Sequence, residues 1–275
     1  MMKKILLGVG IVAFIGLCVL FNIYDLNISI SLTKHYNWFY EIFDDVGELP
    51  IYMGQIFFLS TFFILAEKKL QKATCLGISF VAYLIACIKV IHNMEYTLGF
   101  LNILVSILVT CLLTYITTYL FSKIKKETLE NIKDLAILEM IVSIVSLSCI
   151  ELLKNVWGRV RFRDLSEDYN EFTKLFRING VNGHKSFPSG HTNAGTNILL
   201  IALLVPRFTD KKWIKHLVSV LCFVYIAVLA FSRIVVSAHY ASDVLCGFVV
   251  GFTTLCVTYI VLKRKGVINV AGDKC

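Results

Sequence analysis

The sequence carries little charge, and it shows none of the apolar–polar alternation that marks a transmembrane β-strand. Charged residues make up 17% and hydrophobic residues 57% of the 275 residues, and the mean hydropathy is +0.74. Soluble globular domains have about 25% charged residues. The composition therefore excludes an ordinary soluble domain and favours a protein that crosses a membrane through apolar helices.

Long uncharged runs support this interpretation, because about 20 consecutive apolar residues can cross a bilayer as an α-helix. Four runs contain no charged residue: Ile5–Tyr24, Leu49–Ala66, Tyr96–Ser122 and Val244–Leu262. Four weaker runs are short or contain charged or histidine residues: Ala73–Ile91, Leu135–Leu153, Thr192–Pro206 and Trp213–Ser232. The sequence predicts an all-α, polytopic transmembrane helical bundle with about eight spans.

No small-residue cleavage site follows the first apolar run, although Met-Met-Lys-Lys precedes it. We therefore predict an uncleaved membrane anchor rather than a secretory signal peptide. No internal repeat, low-complexity tract or second domain is evident. The expected organisation is a single domain with N-terminal transmembrane helices in residues 1–134, a motif-bearing core in 135–262 and a cytoplasmic tail in 263–275.

Basic residues divide unequally between the two sides of the predicted spans. Alternating the loops across eight spans places 17 of the 27 Lys and Arg residues on one side and 10 on the other. Strongly basic loops stay in the cytoplasm, so both termini are predicted to be cytoplasmic. The net charge of +8 is then mainly an orientation signal, and it gives no reason to expect a nucleic-acid partner.

The nine cysteines are odd in number and have no metal-ligand spacing, and eight of them fall in predicted spans. We interpret them as packing residues rather than as disulfides or a metal site. The extracytoplasmic segment near residues 25–48 mixes aromatic and charged residues. An interfacial amphipathic helix with Trp38, Phe39 and Tyr40 at headgroup depth explains this mixture, and an exposed loop explains it equally well.

Seven of the ten basic residues on the extracytoplasmic side lie between Lys154 and Lys185, and Arg233 lies at another span end on that side. This clustering runs against the positive-inside tendency. Arginine offers forked donors that suit phosphate, so the cluster indicates an anionic ligand. A solvated loop that happens to be basic explains the charge alone equally well.

The order of three motifs favours the ligand. The first motif is KNVWGRVR, in which Lys154 and Arg161 are seven residues apart. The second is FPSGH, in which Ser189 is a plausible N-cap and Gly190 lets a ligand approach the backbone closely. His191 opens the following helix, and a helix N-terminus favours anions.

The third motif is SRIVVSAHYASD, which joins two predicted spans. Arg233 closes the first span, and His239 and Asp243 stand four residues apart at the start of the next. Residues with this spacing share one face of a helix. An aspartate beside a histidine fixes its tautomer and favours the positive charge on its ring, and this is the support that a nucleophilic histidine needs.

The pattern K-x6-R, PSGH and SR-x5-H-x3-D resembles the type 2 phosphatidic acid phosphatase superfamily, which includes membrane lipid phosphatases and vanadium haloperoxidases. The resemblance covers roughly Leu135 to Leu262. It implies a family core of six spans and phosphoryl transfer without a metal or other cofactor. It also implies that His239 is the nucleophile, Asp243 orients it and His191 protonates the leaving oxygen. The implied phosphate-binding residues are Lys154, Arg161, Ser189, Gly190 and Arg233.

One position departs from the family pattern, because Phe162 replaces the usual proline after Arg161. The loop thereby loses a constraint on φ, so the motif by itself does not fix the backbone conformation after Arg161. Arg159 and Arg163 are close enough in sequence to assist. On their own, however, we interpret five basic residues as ordinary loop charges: Arg159, Arg163, Lys174, Arg177 and Lys185.

The leading hypothesis is an extracytoplasmic, metal-independent lipid phosphatase embedded in the bilayer. Its substrate would be phosphatidic acid, phosphatidylglycerophosphate, an isoprenyl diphosphate such as undecaprenyl diphosphate, or a lipid-anchored sugar phosphate. A lipid phosphotransferase would share the phosphohistidine step. A transporter or non-catalytic lipid-binding protein is the alternative from another class, although the charges gather at one membrane edge and no repeat is evident. The oligomeric state is left open.

Overall fold

The computed structural model describes residues 2–93 and 100–268, and every regular element within them is helical. The α-helices are α1 (Met2–Leu32), α2 (Trp38–Val46), α3 (Leu49–Leu65), α4 (Lys69–Asn93), α5 (Phe100–Ser122), α6 (Lys126–Trp157), α7 (Gly190–Gly195), α8 (Leu199–Leu204), α9 (Lys212–Val235) and α10 (Ala241–Arg264). Short 3-10 turns lie at Thr33–His35, Phe162–Asp164, Thr196–Ile198 and Val205–Arg207. The all-α prediction is confirmed.

Seven stretches of the described chain are long and apolar enough to cross a membrane: Gly8–His35, Trp38–Leu65, Lys69–Ile88, Leu101–Ser122, Lys126–Asp164, Lys212–Val235 and Ala241–Arg264. They correspond to seven of the eight predicted spans. The first residues of the predicted run Tyr96–Ser122, up to residue 99, lie outside the described residues, as do residues 269–275 of the predicted tail. The sides on which the termini lie remain a prediction.

The remaining predicted span, Thr192–Pro206, forms a broken run of short helices and 3-10 turns between Gly190 and Arg207. The break follows Gly195, and glycine is a poor helix former. At the break the Asn197 side chain donates to the carbonyl of Ala194 at 3.1 Å, in competition with the backbone ladder. No single piece of this run is long enough to cross a bilayer as a helix.

The segment near residues 25–48 is mostly helical. Its first residues complete α1, which continues to Leu32, beyond the predicted end of the apolar run at Tyr24. Asn37 then caps α2 by accepting the N–H of Phe39 at 3.0 Å. The helical interpretation is therefore confirmed for Trp38–Val46, while its position at a bilayer surface stays a prediction.

The chain forms two compact units. The first combines the described residues of Met1–Asp44, Ser146–Asn193 and Ile226–Gly251. One of its apolar clusters contains Cys18, Leu175 and Phe187, with Trp157 packed against them. A second cluster contains Ile234, Ala241 and Val244, and Phe21 and Ile28 of α1 pack against it. Burial of these side chains holds α1 to the ends of α9 and α10.

The second unit combines the described residues of Asp45–Val145, Ala194–Tyr225 and Phe252–Cys275. In it, α3 packs against α4 and α5. Glu139 of α6 is fully buried and accepts a hydrogen bond from Ser143 at 2.9 Å. Its carboxyl group fits against Gly54, where any Cβ would overlap it.

Candidate functional site

The end of α6 turns sharply into the first motif. Gly158 has φ +53°, and its N–H donates to the carbonyl of Lys154 at 3.0 Å, which closes the helix. A Cβ on Gly158 would overlap the carbonyl of Gly180. The turn is fixed by the backbone N–H of Asn179, which donates to Trp157 at 3.0 Å, and by that of Gly180, which donates to Val156 at 3.1 Å. The chain thus passes within one residue from the helix to Arg159.

The second motif builds the start of α7 as predicted. The Ser189 hydroxyl oxygen accepts the N–H of Thr192 at 3.3 Å, so Ser189 is the N-cap. The backbone N–H of Ser189 donates to the carbonyl of Asp243 at 2.9 Å. A Cβ on Gly247 would overlap the carbonyl of Ser189, so the glycine lets α10 approach this loop. The FPSGH loop and the first turns of α10 are therefore in direct contact.

Lys154 of the first motif lies next to Gly190 of the second motif. A Cβ built on Gly190 would lie 3.1 Å from Lys154 Nζ, so the ammonium group lies over the glycine at the start of α7. Nζ also lies 3.3 Å from Glu151 Oε1, as expected for a lysine at the end of a span. The side chain of Glu151 is 54% exposed and that of Lys154 only 15%. The lysine charge thus points toward the Ser189–Gly190 backbone.

The third motif forms a tight turn between α9 and α10. Ser237 adopts a left-handed conformation with φ +62°, and its N–H donates to the carbonyl of Ile234 at 3.0 Å. The N–H of His239 donates to the carbonyl of Arg233 at 3.1 Å. His239 is buried, with 3% of its surface exposed, and its Nδ1 lies 3.7 Å from Asp243 Oδ2. This is an ion-pair distance, longer than a hydrogen bond.

The surroundings of His239 favour its neutral form. Burial lowers its pKa to about 4, and the positive charges of Arg233 and Arg161 lower it as well, while Asp243 opposes the change. A neutral imidazole has a lone pair on one ring nitrogen. Because Nδ1 faces the Asp243 carboxylate, Nε2 is the nitrogen left to act as a nucleophile.

Asp243 is held by several donors. It is fully buried in the first turn of α10. Its Oδ2 accepts the Ser186 hydroxyl at 2.6 Å and the Tyr240 backbone N–H at 3.0 Å. Its Oδ1 accepts Arg159 Nη1 at 2.7 Å. These bonds fix the carboxylate that faces His239.

Arg159 has no exposed surface, so its interpretation as an ordinary loop charge was wrong. Its Nη2 lies 3.0 Å from Asp25 Oδ2, and its Nε donates to the Thr173 carbonyl at 2.9 Å. The guanidinium lies 4.0 Å from the centre of the Tyr240 ring. Two carboxylates, a carbonyl and an aromatic face thus surround it, which is how a buried arginine is normally accommodated.

Arg233 and His191 share a different carboxylate. Arg233 Nη1 forms an ion pair with Asp44 Oδ1 of α2. His191 Nε2 lies 3.1 Å from the Asp44 backbone carbonyl and 3.8 Å from Oδ1. A carbonyl can only accept, so the contact places the proton on Nε2 of His191. Among the described residues, the buried Arg233 Nε has no hydrogen-bond partner.

All eight predicted site residues lie in the first unit: Lys154, Arg161, Ser189, Gly190, His191, Arg233, His239 and Asp243. Their catalytic and phosphate-binding roles remain predictions. Sequence analysis missed two carboxylates, Asp25 and Asp44, which come from helices far from the motifs. The available signal for Asp25 was its position directly after an uncharged run, because an ionisable group beside a membrane span is usually functional or paired.

Within the described residues, no group of three or more His, Cys, Asp or Glu side chains could hold a metal ion. The eight described cysteines are free, and Cys275 lies outside those residues.

Comparison with known families concerns the part of the chain that carries the three motifs. Residues 136–266 match the sequence model of the PAP2 superfamily. This part of the chain is therefore a PAP2 superfamily domain, and the resemblance inferred from the motifs is confirmed. No solved structure matches the chain significantly.

Two curated relatives are lipid A 1-phosphatases. The protein from Rhizobium johnstonii is 35% identical over 118 residues, which cover 42% of this chain and 43% of that protein. The protein from Rhizobium etli is 35% identical over 121 residues, which cover 42% of this chain and 46% of that protein. The chain thus matches less than half the length of each relative.

Proposed function

We propose that this chain is an integral membrane phosphatase that hydrolyses the phosphate or diphosphate ester of a lipid through a phosphohistidine intermediate. The observation that carries the proposal is the buried His239–Asp243 pair in the turn between α9 and α10, with the charges of Arg233 and Arg161 acting on the imidazole. A neutral imidazole oriented by a carboxylate, and surrounded by arginines, suits nucleophilic attack on phosphorus.

In the first step, the lone pair on Nε2 of His239 forms a bond to phosphorus while the bond from phosphorus to the lipid oxygen breaks. His191 gives a proton to the departing oxygen, so the lipid leaves as a neutral alcohol, or as a lipid monophosphate if the substrate is a diphosphate. The phosphorylated imidazole keeps its proton on Nδ1, where the Asp243 carboxylate balances its charge.

In the second step, water attacks the phosphohistidine and His191 accepts a proton from it. The bond between Nε2 and phosphorus breaks, its electron pair returns to the imidazole, and orthophosphate is released. In the transition state of each step, negative charge is spread over the equatorial oxygens of the phosphoryl group. Lys154, Arg161 and Arg233 are proposed to neutralise it, assisted by Ser189 and the backbone N–H of Gly190.

The placement of the site favours a substrate held in the membrane. Lys154 and Arg233 lie in the last turns of α6 and α9, and Asp243 lies in the first turn of α10. A phosphate bound at helix ends can remain attached to a tail in the bilayer. The two curated relatives are named for lipid A 1-phosphate, so we propose that the first substrate to test is a lipid-anchored sugar phosphate of this kind.

The same residues are proposed to lie on the extracytoplasmic side. The support is the excess of Lys and Arg in the loops on the opposite side, 17 against 10. An epitope at Lys185 should be accessible from outside intact cells, and one at Lys265 should not.

The test is release of inorganic phosphate by the purified, detergent-solubilised protein in the presence of EDTA. The panel contains lipid A 1-phosphate, phosphatidic acid, phosphatidylglycerophosphate and undecaprenyl diphosphate. His239→Ala should abolish release, and His216→Ala is the control because His216 is exposed and outside the site. Equal release by wild type and His239→Ala would contradict the proposed nucleophile. Release that depends on an added acceptor alcohol, with a phosphorylated alcohol as product, would indicate a phosphotransferase.

A further inference from the structure

A carboxylate on the first helix contacts Arg159 and Ser242, next to the site, without belonging to any of the three motifs. Asp25 of α1 is fully buried. Its Oδ1 accepts the backbone N–H of Ser242 at 3.0 Å, and its Oδ2 accepts the Ser242 hydroxyl. Burying an ionised carboxylate is costly unless it is paired and hydrogen-bonded, so this position calls for a reason beyond the packing of α1.

Arg159 connects this carboxylate to the one that faces His239. Nη2 of Arg159 lies 3.0 Å from Asp25 and Nη1 lies 2.7 Å from Asp243. Nη1 also donates to the Ser242 hydroxyl at 2.8 Å. Because the guanidinium is a rigid planar fork, a carboxylate fixed at one edge fixes the direction of the other edge. Asp25 therefore sets the position from which Arg159 meets Asp243.

The charges of Asp25, Arg159 and Asp243 also connect Asp25 to the carboxylate that faces His239. Arg159 alone would cancel the charge of Asp243, and this pair would then offer little net negative charge to His239. With Asp25 included, one guanidinium and two carboxylates carry a net charge of −1. That charge is opposite to the positive charge that the imidazole gains when it is phosphorylated with a proton on Nδ1.

We propose that Asp25 is a positioning residue for phosphoryl transfer, which acts through Arg159 and Ser242 to orient Asp243 and preserve its charge. The proposal rests on the proposed function, because it assigns a role toward the same nucleophile. Asp25 contacts neither His239 nor a phosphate-binding residue in the contacts described above. Its effect must therefore pass through Asp243.

The first variant is Asp25→Asn, which keeps the shape of the side chain and removes its charge. We expect kcat to fall about 10- to 100-fold, taking as a scale the loss seen when a hydrogen-bonding partner of a metal ligand is removed. KM should change less than about twofold, because the phosphate-binding residues are untouched. Ser29→Ala is the matched control: Ser29 is buried one turn along α1, and its hydroxyl has no acceptor or donor among the described residues. It should leave both constants unchanged.

A double-mutant cycle with Asp243→Asn separates positioning from general support of the fold. If Asp25 acts through Asp243, Asp25→Asn should change kcat less than about twofold in the Asp243→Asn background. The same fold-loss in both backgrounds would overturn the proposal. Should Asp25→Asn fail to fold, Ser242→Ala provides the same cycle, because it removes the hydroxyl shared by Asp25 and Arg159 without changing a charge. Failure of the proposed function would appear separately, as phosphate release that His239→Ala does not abolish.

Discussion

Two buried arginines of the first unit meet carboxylates in different ways. Arg159 has no exposed surface and lies between Asp25 and Asp243, whose side chains are also fully buried. Arg233 is nearly as buried, but its partner Asp44 has a side chain that is 31% exposed. Its Nε has no partner among the described residues. The difference teaches that burial alone does not separate a structural arginine from a ligand-binding one. We propose that the two kinds of arginine differ in whether a ligand can replace the carboxylate partner, which requires that the partner reach solvent.

The largest expected effect follows from breaking the buried arrangement. Arg159→Met would leave Asp25 and Asp243 without their shared cation. Removing one partner of a buried ion pair typically costs about 3–5 kcal/mol, so the variant should lose most of its folding stability. Denaturation in mixed micelles measures this, with Lys185→Met as control because Lys185 is 45% exposed in the same loop. Equal stability of the two variants would refute the structural role of Arg159.

Arg233→Met should affect activity more than stability. Among the described residues, its removal leaves Asp44 without its ion-pair partner, and Asp44 already reaches solvent. Loss of one donor that stabilises transition-state charge costs about 10²- to 10³-fold in rate, and we expect kcat/KM to fall in that range. Steady-state kinetics and denaturation of the same preparation check both parts. A variant of Arg233 as unstable as that of Arg159 would remove the distinction between the two arginines.

The acidic limb of activity should report first the burial of His239 and then the charges that face it, namely Asp243, Arg233 and Arg161. In the proposed mechanism only the neutral imidazole can attack, and a pKa lowered to about 4 keeps His239 neutral as the pH falls. At pH 5 about nine-tenths of such an imidazole is neutral, against about 3% for one with the ordinary value of about 6.5. The fall in kcat/KM that protonation of His239 causes at low pH should therefore occur below pH 5. A limb near pH 6.5 that Asp243→Asn shifts would show that His239 is less desolvated than described.

Asp44→Asn should produce the smallest effect. It removes the carboxylate that, under our proposal, competes with phosphate for Arg233. A partly exposed ion pair contributes about 0.2–1 kcal/mol, so affinity for inorganic phosphate should rise by up to about fivefold. The inhibition constant of orthophosphate measures it. Glu41→Gln, an exposed charge on the same helix, is the control. Weaker inhibition in Asp44→Asn would show that Asp44 supports anion binding instead of opposing it.

Much of the fold follows from local sequence signals. Uncharged runs fixed most spans, and the three motifs located the polar residues at helix ends. The end of α1 was missed because a charged residue after Tyr24 normally marks the membrane surface. Asp25 continues the helix instead, since Arg159 and Ser242 satisfy its carboxylate.

The candidate site was only partly predictable for a related reason. The spacing of the motifs predicts Ser189, His239 and Asp243 as site residues. Asp25 lies more than a hundred residues before Arg159 in sequence, and nothing local in either segment shows that they pair. The burial of Arg159 therefore depends on tertiary contacts that spacing does not encode, which is why the sequence alone predicts a solvated loop charge at this position.

The backbone N–H groups of Asn179 and Gly180 donate to the carbonyls of Trp157 and Val156, and these hydrogen bonds close the base of the long loop that follows α6. Thr173 and Leu175 return to the interior, but the tip around Glu167–Asn170 is largely exposed and makes its hydrogen bonds to its own residues. Length can therefore change at that tip without moving Lys154 or Arg159. A reporter peptide inserted there should leave the residues at the base of the loop in place.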